Sequence, residues 1–214
     1  PSAATLGDLY TKTGSCELIR AQYRCLGREL ALLGFNTNFA PVMDVAIPGE
    51  SFLGYRCFSE NPNAVATISN AALQGLREAN ILGCGKHFPG HGATKVDSHF
   101  DLPVIEKSFA ELKEHDLVPF INAIKNSVPL IMSSHILFPA IDSDYPVTLS
   151  KNALYRTLRD QMSFRGLIVT DDMLMKAVAD RYSEFDAAVM ALKAGCNLLL
   201  YCEGVRTAHR VYET

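Results

Sequence analysis

Apolar positions in this chain recur with two periods, one typical of helices and one of buried strands. The first helical segment has five apolar residues at spacings of three and four: Ile19, Tyr23, Leu26, Leu30 and Leu33. Ser15 is placed to cap this helix, and Gly34 is placed to end it in a left-handed conformation. The apolar stretch that follows, residues 35–45, is predicted to be a strand that runs into a loop.

The alternation of helix and strand then continues to the end of the chain. Further helices are predicted to begin after Asn61, at a Ser108-to-Glu111 capping box, at Ser150, and at Ser183, where the last one ends before Gly195. Further strands are predicted over residues 81–87, 128–132, 166–170 and 197–201. Apolar strands that alternate with helices predict a parallel sheet covered by helices. Five strands fit either an open sheet or most of a (β/α)₈ barrel, which needs about 250 residues.

Composition and charge narrow the class of protein. The 214 residues are 48% hydrophobic and 20% charged, which is typical of a globular chain, and no linker divides them into two domains. The net charge of -3 comes with no basic stripe, so no nucleic-acid partner is predicted. No apolar run reaches the roughly 18 residues of a membrane span, and no signal peptide is visible. The six scattered cysteines predict free thiols in a reducing compartment, so we expect a cytoplasmic protein.

Polar side chains collect where the predicted strands end, which is where parallel α/β folds carry their chemistry. The strand ends carry Asp44, Lys86 and His87, Ser133 to His135, and the pair Asp171 and Asp172. A helix N-cap accounts for one aspartate of the last pair, and Asp172 is the better candidate. It accounts neither for Asp171 nor for the histidines on the neighbouring strands.

The segment 86–99 (KHFPGHGATKVDSH) is the densest of these and allows three chemistries. One is metal binding by His87, His91, Asp97 and His99, although Pro89 and Gly90 prevent the helix that would bring two of the rings together. A second is a serine hydrolase that uses Ser98, Ser133 or Ser134, but no Gly-x-Ser-x-Gly motif is present.

The third chemistry combines an acid/base group with a nucleophile. Asp97 orients and charges His99, and a carboxylate at another strand end attacks the substrate. An acid/base paired with a carboxylate nucleophile is the arrangement of retaining glycoside hydrolysis.

The same segment resembles the signature of glycoside hydrolase family 3, and in particular that of the bacterial β-N-acetylglucosaminidases of cell-wall recycling. The resemblance rests on residues 86–92 (KHFPGHG), 97–99 (DSH) and 102–103 (LP). Supporting segments fall in the family's order at residues 38–45, 55–58, 132–135 and 169–175. The resemblance spans nearly the whole chain and implies a (β/α)₈ TIM-type barrel.

The resemblance also implies a role for individual residues. Asp171 resembles the nucleophile that forms a glycosyl-enzyme ester, and His99 resembles the general acid/base, with Asp97 as its partner. The residues that resemble the family's ligands for the sugar hydroxyls are Lys86, His87 and Arg56; His135 has no assigned role. The implied substrate is a terminal non-reducing β-N-acetylglucosamine of a muropeptide-like compound, and no metal or organic cofactor is implied.

One departure from the family concerns the length of the barrel. Five consecutive units are recognisable and the first three strands are absent, so we expect residues 1–214 to be a fragment of a catalytic domain whose other strands lie outside this chain. Three alternatives stay open: a metal-dependent barrel hydrolase, a non-catalytic carbohydrate-binding relative, and transfer of the sugar to phosphate instead of water.

Overall fold

The computed structural model describes residues 1–47, 53–94, 101–202 and 205–213. Five β-strands lie at Thr37–Asn38 (β1), Leu82–Phe88 (β2), Leu130–Ser133 (β3), Leu167–Asp172 (β4) and Leu198–Leu200 (β5). The α-helices are Ala3–Thr13 (α1), Glu17–Leu32 (α2), Pro62–Glu78 (α3), Phe109–Glu114 (α4), Val118–Lys125 (α5), Lys176–Ala179 (α6), Glu184–Ala194 (α7) and Val205–Glu213 (α8). A π-helix spans Asn152–Gln161, and short 3₁₀ turns span Gly54–Arg56 and Val147–Leu149.

The five strands form one parallel sheet in the order β1-β2-β3-β4-β5. Each strand therefore pairs with its neighbour in sequence, and helical segments connect the consecutive strands. This order is that of consecutive units of a (β/α)₈ barrel, whereas a doubly wound sheet reverses its strand order at a switch point. The expected fold class, a barrel represented by five units, is confirmed.

The start of the chain differs from its sequence-based prediction. Helix α1 was not predicted; the Ser2 hydroxyl accepts from the Thr5 N–H at its start. Helix α2 begins directly after Cys16, and the Ser15 hydroxyl accepts from the Glu17 N–H at 3.3 Å. The predicted left-handed residue after α2 is confirmed, because Gly34 has a φ of 87°.

Strand β1 is much shorter than the predicted 35–45. Only Thr37–Asn38 pairs regularly with β2, and an isolated bridge joins Val42 to Lys86 further along. Pro41 lies between these two contacts and has no N–H to donate to a ladder, which explains the interruption.

Two predicted helices have irregular interiors. The capping box of Ser108 and Glu111 is present, but α4 ends at Glu114 and α5 begins at Val118. Pro119 lies in the first turn of α5, the place where a helix tolerates the missing N–H, so one continuous helix is not possible here. After Ser150, whose hydroxyl accepts from the Ala153 N–H at 3.0 Å, the chain continues as the π-helix.

The two faces of the sheet pack differently. Alternate residues such as Ile131 and Ile168 join the main core with the covering helices, where Phe120 and Leu154 are fully buried. The other face carries a small apolar cluster of Cys84, Leu130, Met132 and Val169, next to Phe39 and Leu200. The side chains two positions beyond Cys84 and Val169 are Lys86 and Asp171, so this second face leads from an apolar layer to charged groups at the carboxyl ends of the strands. In the described residues, no helix has the length and apolar character needed to cross a lipid bilayer.

Candidate active site

The site is built at the carboxyl ends of β2 and β4 and on the loop after β1. Strand β2 brings Lys86 and His87 to this edge, and β4 brings Asp171. The loop after β2 packs directly on the segment that carries Asp44, since a Cβ on Gly92 would overlap the Val45 carbonyl group. Only glycine allows the two chain segments to approach so closely.

Asp44 is a fully buried carboxylate that holds two histidines. Its Oδ2 lies 2.7 Å from Nδ1 of His87, and its Oδ1 accepts the backbone N–H groups of His87 at 3.1 Å and His91 at 2.7 Å. Burial raises the pKa of Asp44, but the charge and hydrogen bond of His87, together with those of His91, outweigh burial and lower it. Asp44 is therefore ionised at neutral pH despite its burial.

Asp171 is the carboxylate that faces the open end of the site. Its side chain is 20% exposed, and its Oδ2 lies 3.8 Å from Nε2 of His87. Burial raises the pKa of Asp171, but the charges of His87, His135 and Lys86 and the hydrogen bond from the Asp172 N–H (2.9 Å to Oδ1) together lower it. The result is an ionised, partly accessible carboxylate, which is the state that a nucleophile requires.

Two cations lie on the same side of the site. Burial lowers the pKa of Lys86, and the nearby guanidinium of Arg56 lowers it further, whereas the charge of Asp171 opposes both effects. Arg56 belongs to the exposed 3₁₀ turn Gly54–Arg56, so the loop after β1 and strand β2 bring the two cations together. Both side chains only donate hydrogen bonds, and sugar hydroxyls can accept them.

His135 occupies the end of β3 as part of a buried hydrogen-bond network. Its Nε2 lies 2.9 Å from the Asp172 carbonyl oxygen, which can only accept, so Nε2 carries the proton and donates. Its Nδ1 lies 2.9 Å from Oγ1 of Thr148. The Thr148 hydroxyl also donates to the Ser134 carbonyl at 3.0 Å and contacts the Ser133 hydroxyl at 2.9 Å. This network holds the peptide between Asp172 and Met173, one residue beyond Asp171.

A family profile described as "Glycosyl hydrolase family 3 N terminal domain" matches residues 1–213. This chain belongs to glycoside hydrolase family 3. The family membership that the segment beginning at Lys86 predicts is thereby confirmed.

The relatives of this family 3 chain carry consistent names. A "Beta-hexosaminidase" of Nitrosomonas eutropha is 35% identical over 204 residues, which are 94% of this chain and 58% of that protein. A family 3 β-N-acetylglucosaminidase from Paenibacillus sp. FPU-7 superposes with a TM-score of 0.89 at 36% identity, covering 94% of this chain and 38% of that one. NagZ from Neisseria gonorrhoeae, in complex with N-trifluoroacetyl-D-glucosamine, superposes with a TM-score of 0.90 at 30% identity, covering 100% and 62%. This chain thus spans 58% of the length of the Nitrosomonas relative.

The structure brings together four of the six site residues expected for a family 3 enzyme. Lys86, His87 and Asp171 meet at the strand ends, and Arg56 lies near enough for its charge to act on Lys86. The expected acid/base pair, Asp97 and His99, lies outside the described residues, so its assignment stays a prediction.

Other sequence-based candidates have different outcomes. Ser133 and Ser134 are completely buried, and the Ser134 hydroxyl donates to the Phe88 carbonyl at 2.9 Å, so neither is placed to act as a hydrolase nucleophile. The third serine considered, Ser98, lies outside the described residues.

The prediction that Asp172 is a helix N-cap was wrong. Its side chain accepts from the N–H groups of Leu174 and Cys202 and so caps a turn, whereas α6 begins later, at Lys176.

Sequence reasoning missed the contacts that Asp44 makes with His87 and that Thr148 makes with His135. Asp44 was recognised only as a polar strand end, although an acidic residue inside an apolar segment (NFAPVMDV) is a signal for a buried, paired carboxylate. Thr148 gave no signal, because the sequence does not show that it meets His135.

Among the described residues, no group of three or more histidine, cysteine or acidic side chains is arranged to hold a metal ion.

Proposed function

We propose that this protein is a retaining β-N-acetylglucosaminidase in which Asp171 is the nucleophile. In this reaction the Asp171 carboxylate attacks the anomeric carbon, the bond to the leaving oxygen breaks, and a protonated acid donates its proton to that oxygen. Water then releases the sugar with net retention of configuration. The observation that carries the proposal is the ionised, 20% exposed carboxylate of Asp171 at the strand ends, faced by His87 at 3.8 Å.

The acid/base is assigned to His99, with Asp97 as its partner. A histidine has a reference pKa near ~6.5, so it can donate a proton to the leaving group and then take one from water close to neutral pH. An adjacent carboxylate favours the charged ring and fixes its orientation. The DSH sequence of residues 97–99 supports this assignment through its resemblance to the family signature.

Sugar recognition is assigned to Lys86, Arg56 and His87. The two cations donate to hydroxyl oxygens of the non-reducing sugar, and their positive charge also favours the ionised form of Asp171. The N-acetyl preference is supported by the family 3 relatives named β-N-acetylglucosaminidase and by the N-trifluoroacetyl-D-glucosamine bound to one of them. Muropeptide-like disaccharides are the substrates that we propose, in a cytoplasmic enzyme of cell-wall recycling.

Domain organisation is part of the same proposal. Residues 1–213 match the family profile, and we assign residues 1–214 to the family's N-terminal catalytic domain, with the other barrel strands supplied by sequence outside this chain. Experiments on activity therefore require the complete protein.

The decisive experiment traps the covalent intermediate. The complete protein is incubated with an activated fluorosugar that retains the N-acetyl group, and the labelled peptide is identified by mass spectrometry. We expect the label on Asp171, retention of configuration in the product by NMR, and a loss of about 10⁴-fold in kcat for Asp171→Asn. Asp160→Asn, the same change at an exposed position on the π-helix, is the matched control and should keep full activity.

Two results of this experiment would contradict the proposal. A label on Asp172, or labelling of neither aspartate with inversion of configuration, would remove Asp171 from the nucleophile role.

Two other assays separate the alternatives. Sugar phosphate formed in phosphate buffer, in place of free sugar, would show that phosphate is the acceptor while leaving Asp171 as nucleophile. Loss of activity on treatment with a chelator would favour the metal-dependent alternative.

A further inference from the structure

We propose that Asp44 is a positioning residue for the reaction: it holds the His87 ring with Nδ1 protonated, so that Nε2 faces Asp171. This inference rests on the proposed function, since it assigns to Asp171 the role of nucleophile. Asp44 itself is fully buried and has no surface open to a substrate, so we infer that it acts through His87.

The contacts of Asp44 define the state of the ring. A carboxylate only accepts hydrogen bonds, so the 2.7 Å contact between its Oδ2 and Nδ1 of His87 requires a proton on Nδ1. The other oxygen, Oδ1, accepts the backbone N–H groups of His87 and His91, which prevents the carboxylate from rotating away. Both oxygens are therefore used, and the ring has one orientation in which its two nitrogens face two different carboxylates.

The second nitrogen connects this contact to the nucleophile. Nε2 of His87 lies 3.8 Å from Oδ2 of Asp171, at the distance of an ion pair. The three residues thus form a line from the loop after β1, through the end of β2, to the end of β4. The His87 side chain is only 6% exposed, so water does not readily replace either contact.

An asparagine at position 44 separates a positioning role from a purely structural one, because it keeps the backbone contacts and changes the contact with the His87 ring. An asparagine at this position could still accept both backbone N–H groups through its carbonyl oxygen. Its NH₂ group, however, would face the N–H on Nδ1 of His87, donor against donor. The ring would then have to move its proton to Nε2 or turn away, and either change alters what Asp171 and the sugar meet, while the backbone contacts persist.

The charged groups around the two carboxylates limit how the effect can arise. Asp44 is faced by His87 and His91 and, at longer range, by Lys86. Asp171 is faced by His87 and Lys86 from β2, by His135 from the end of β3 and, at longer range, by His91 from the loop after β2. His87 is the group in direct contact with Asp44 that also lies against Asp171, so removal of the Asp44 charge acts on the nucleophile mainly through this ring.

The test compares Asp44→Asn with Asp116→Asn in the complete protein. Asp116 is also buried, 2% exposed, and its carboxylate is paired with Lys107 at 2.6 Å, so its substitution matches the loss of a buried carboxylate partner. We expect Asp44→Asn to lower kcat/KM by about 10- to 100-fold and to move the acidic limb of its pH profile to higher pH by about one unit. Asp116→Asn should lower stability without moving that limb.

A double-mutant comparison separates positioning from folding. In a His87→Gln background, Asp44→Asn should change kcat/KM by no more than about twofold, because the residue through which it acts is gone. An undiminished effect in that background would overturn the proposal and assign Asp44 a structural role through His91. An Asp44→Asn variant whose limb stays where the wild-type limb lies would do the same.

A measurement on the unaltered protein keeps the proposal testable if Asp44→Asn does not fold. In protein labelled with ¹⁵N-histidine, two-bond correlations report which ring nitrogen carries a proton, and His87→Gln assigns the signal. We expect a proton on Nδ1 of His87; an unprotonated Nδ1 would refute the proposal. Failure of the fluorosugar to label the wild-type protein is a separate result, which counts against the proposed function itself.

Discussion

Replacement of Thr148 by valine tests the buried network beside Asp171, the proposed nucleophile. The substitution keeps the shape of the side chain and removes one hydroxyl. That hydroxyl contacts Ser133 and His135 at 2.9 Å each and the Ser134 carbonyl at 3.0 Å. All three partners are at most 1% exposed, so water cannot take the place of the lost hydroxyl.

The expected cost follows from the number of bonds. Each hydrogen bond contributes about 1 kcal/mol net, and a buried group left without a partner costs about 1–3 kcal/mol. The hydroxyl has one proton, so at any moment it donates one hydrogen bond, to His135 or to the Ser134 carbonyl, and accepts one from Ser133. Loss of these two hydrogen bonds at a fully buried atom predicts that Thr148→Val lowers the free energy of unfolding by about 2 kcal/mol. Activity should also fall, because His135 holds the Asp172 carbonyl next to Asp171, the proposed nucleophile.

Urea unfolding followed by far-ultraviolet circular dichroism measures the effect. The matched control is Thr67→Val, where the hydroxyl is exposed and donates to the Asn63 carbonyl of its own helix. We expect the control to change the free energy of unfolding by no more than about 0.5 kcal/mol. A Thr148→Val variant that is as stable as this control, with an unchanged slope of the free energy of unfolding against urea concentration, would refute the inference that this hydroxyl stabilises the buried network.

Two further predictions concern the histidines. Burial, together with the charge of His87, lowers the pKa of His91 to about 4, so the folded state binds fewer protons than the unfolded state. The free energy of unfolding should therefore fall by roughly 3 kcal/mol from this group as the pH falls from about 6.5 to about 4, and His91→Gln should flatten the curve. For the proposed acid/base pair, Asp97→Ala with His99→Ala should lower kcat no more than His99→Ala alone; additive losses in steady-state assays would show that they act separately.

The sequence by itself determined the alternation of helices and strands from α2 to β5 and, through the family resemblance, the fold class. Apolar periodicity and caps located α3, α7 and β2 to β5 within a few residues. These elements bury an apolar face, and capping residues mark the helix boundaries: Asn61 at the start of α3 and Gly195 at the end of α7. Irregular backbone was harder to predict. The interruption of β1 at Pro41 and the break before Pro119 depend on where a missing N–H can be tolerated once neighbouring segments are in place.

For the candidate site too, the sequence predicted some features and the tertiary structure decided the others. The sequence located Lys86, His87 and Asp171, because parallel strands bring their carboxyl ends to one edge and the family signature marks the residues there. Only the tertiary structure decided that Asp44 lies behind His87 and that Thr148 lies beneath His135. Hydrogen bonds between side chains 13 to 43 positions apart depend on the packing of separate segments, which no local pattern of residues records.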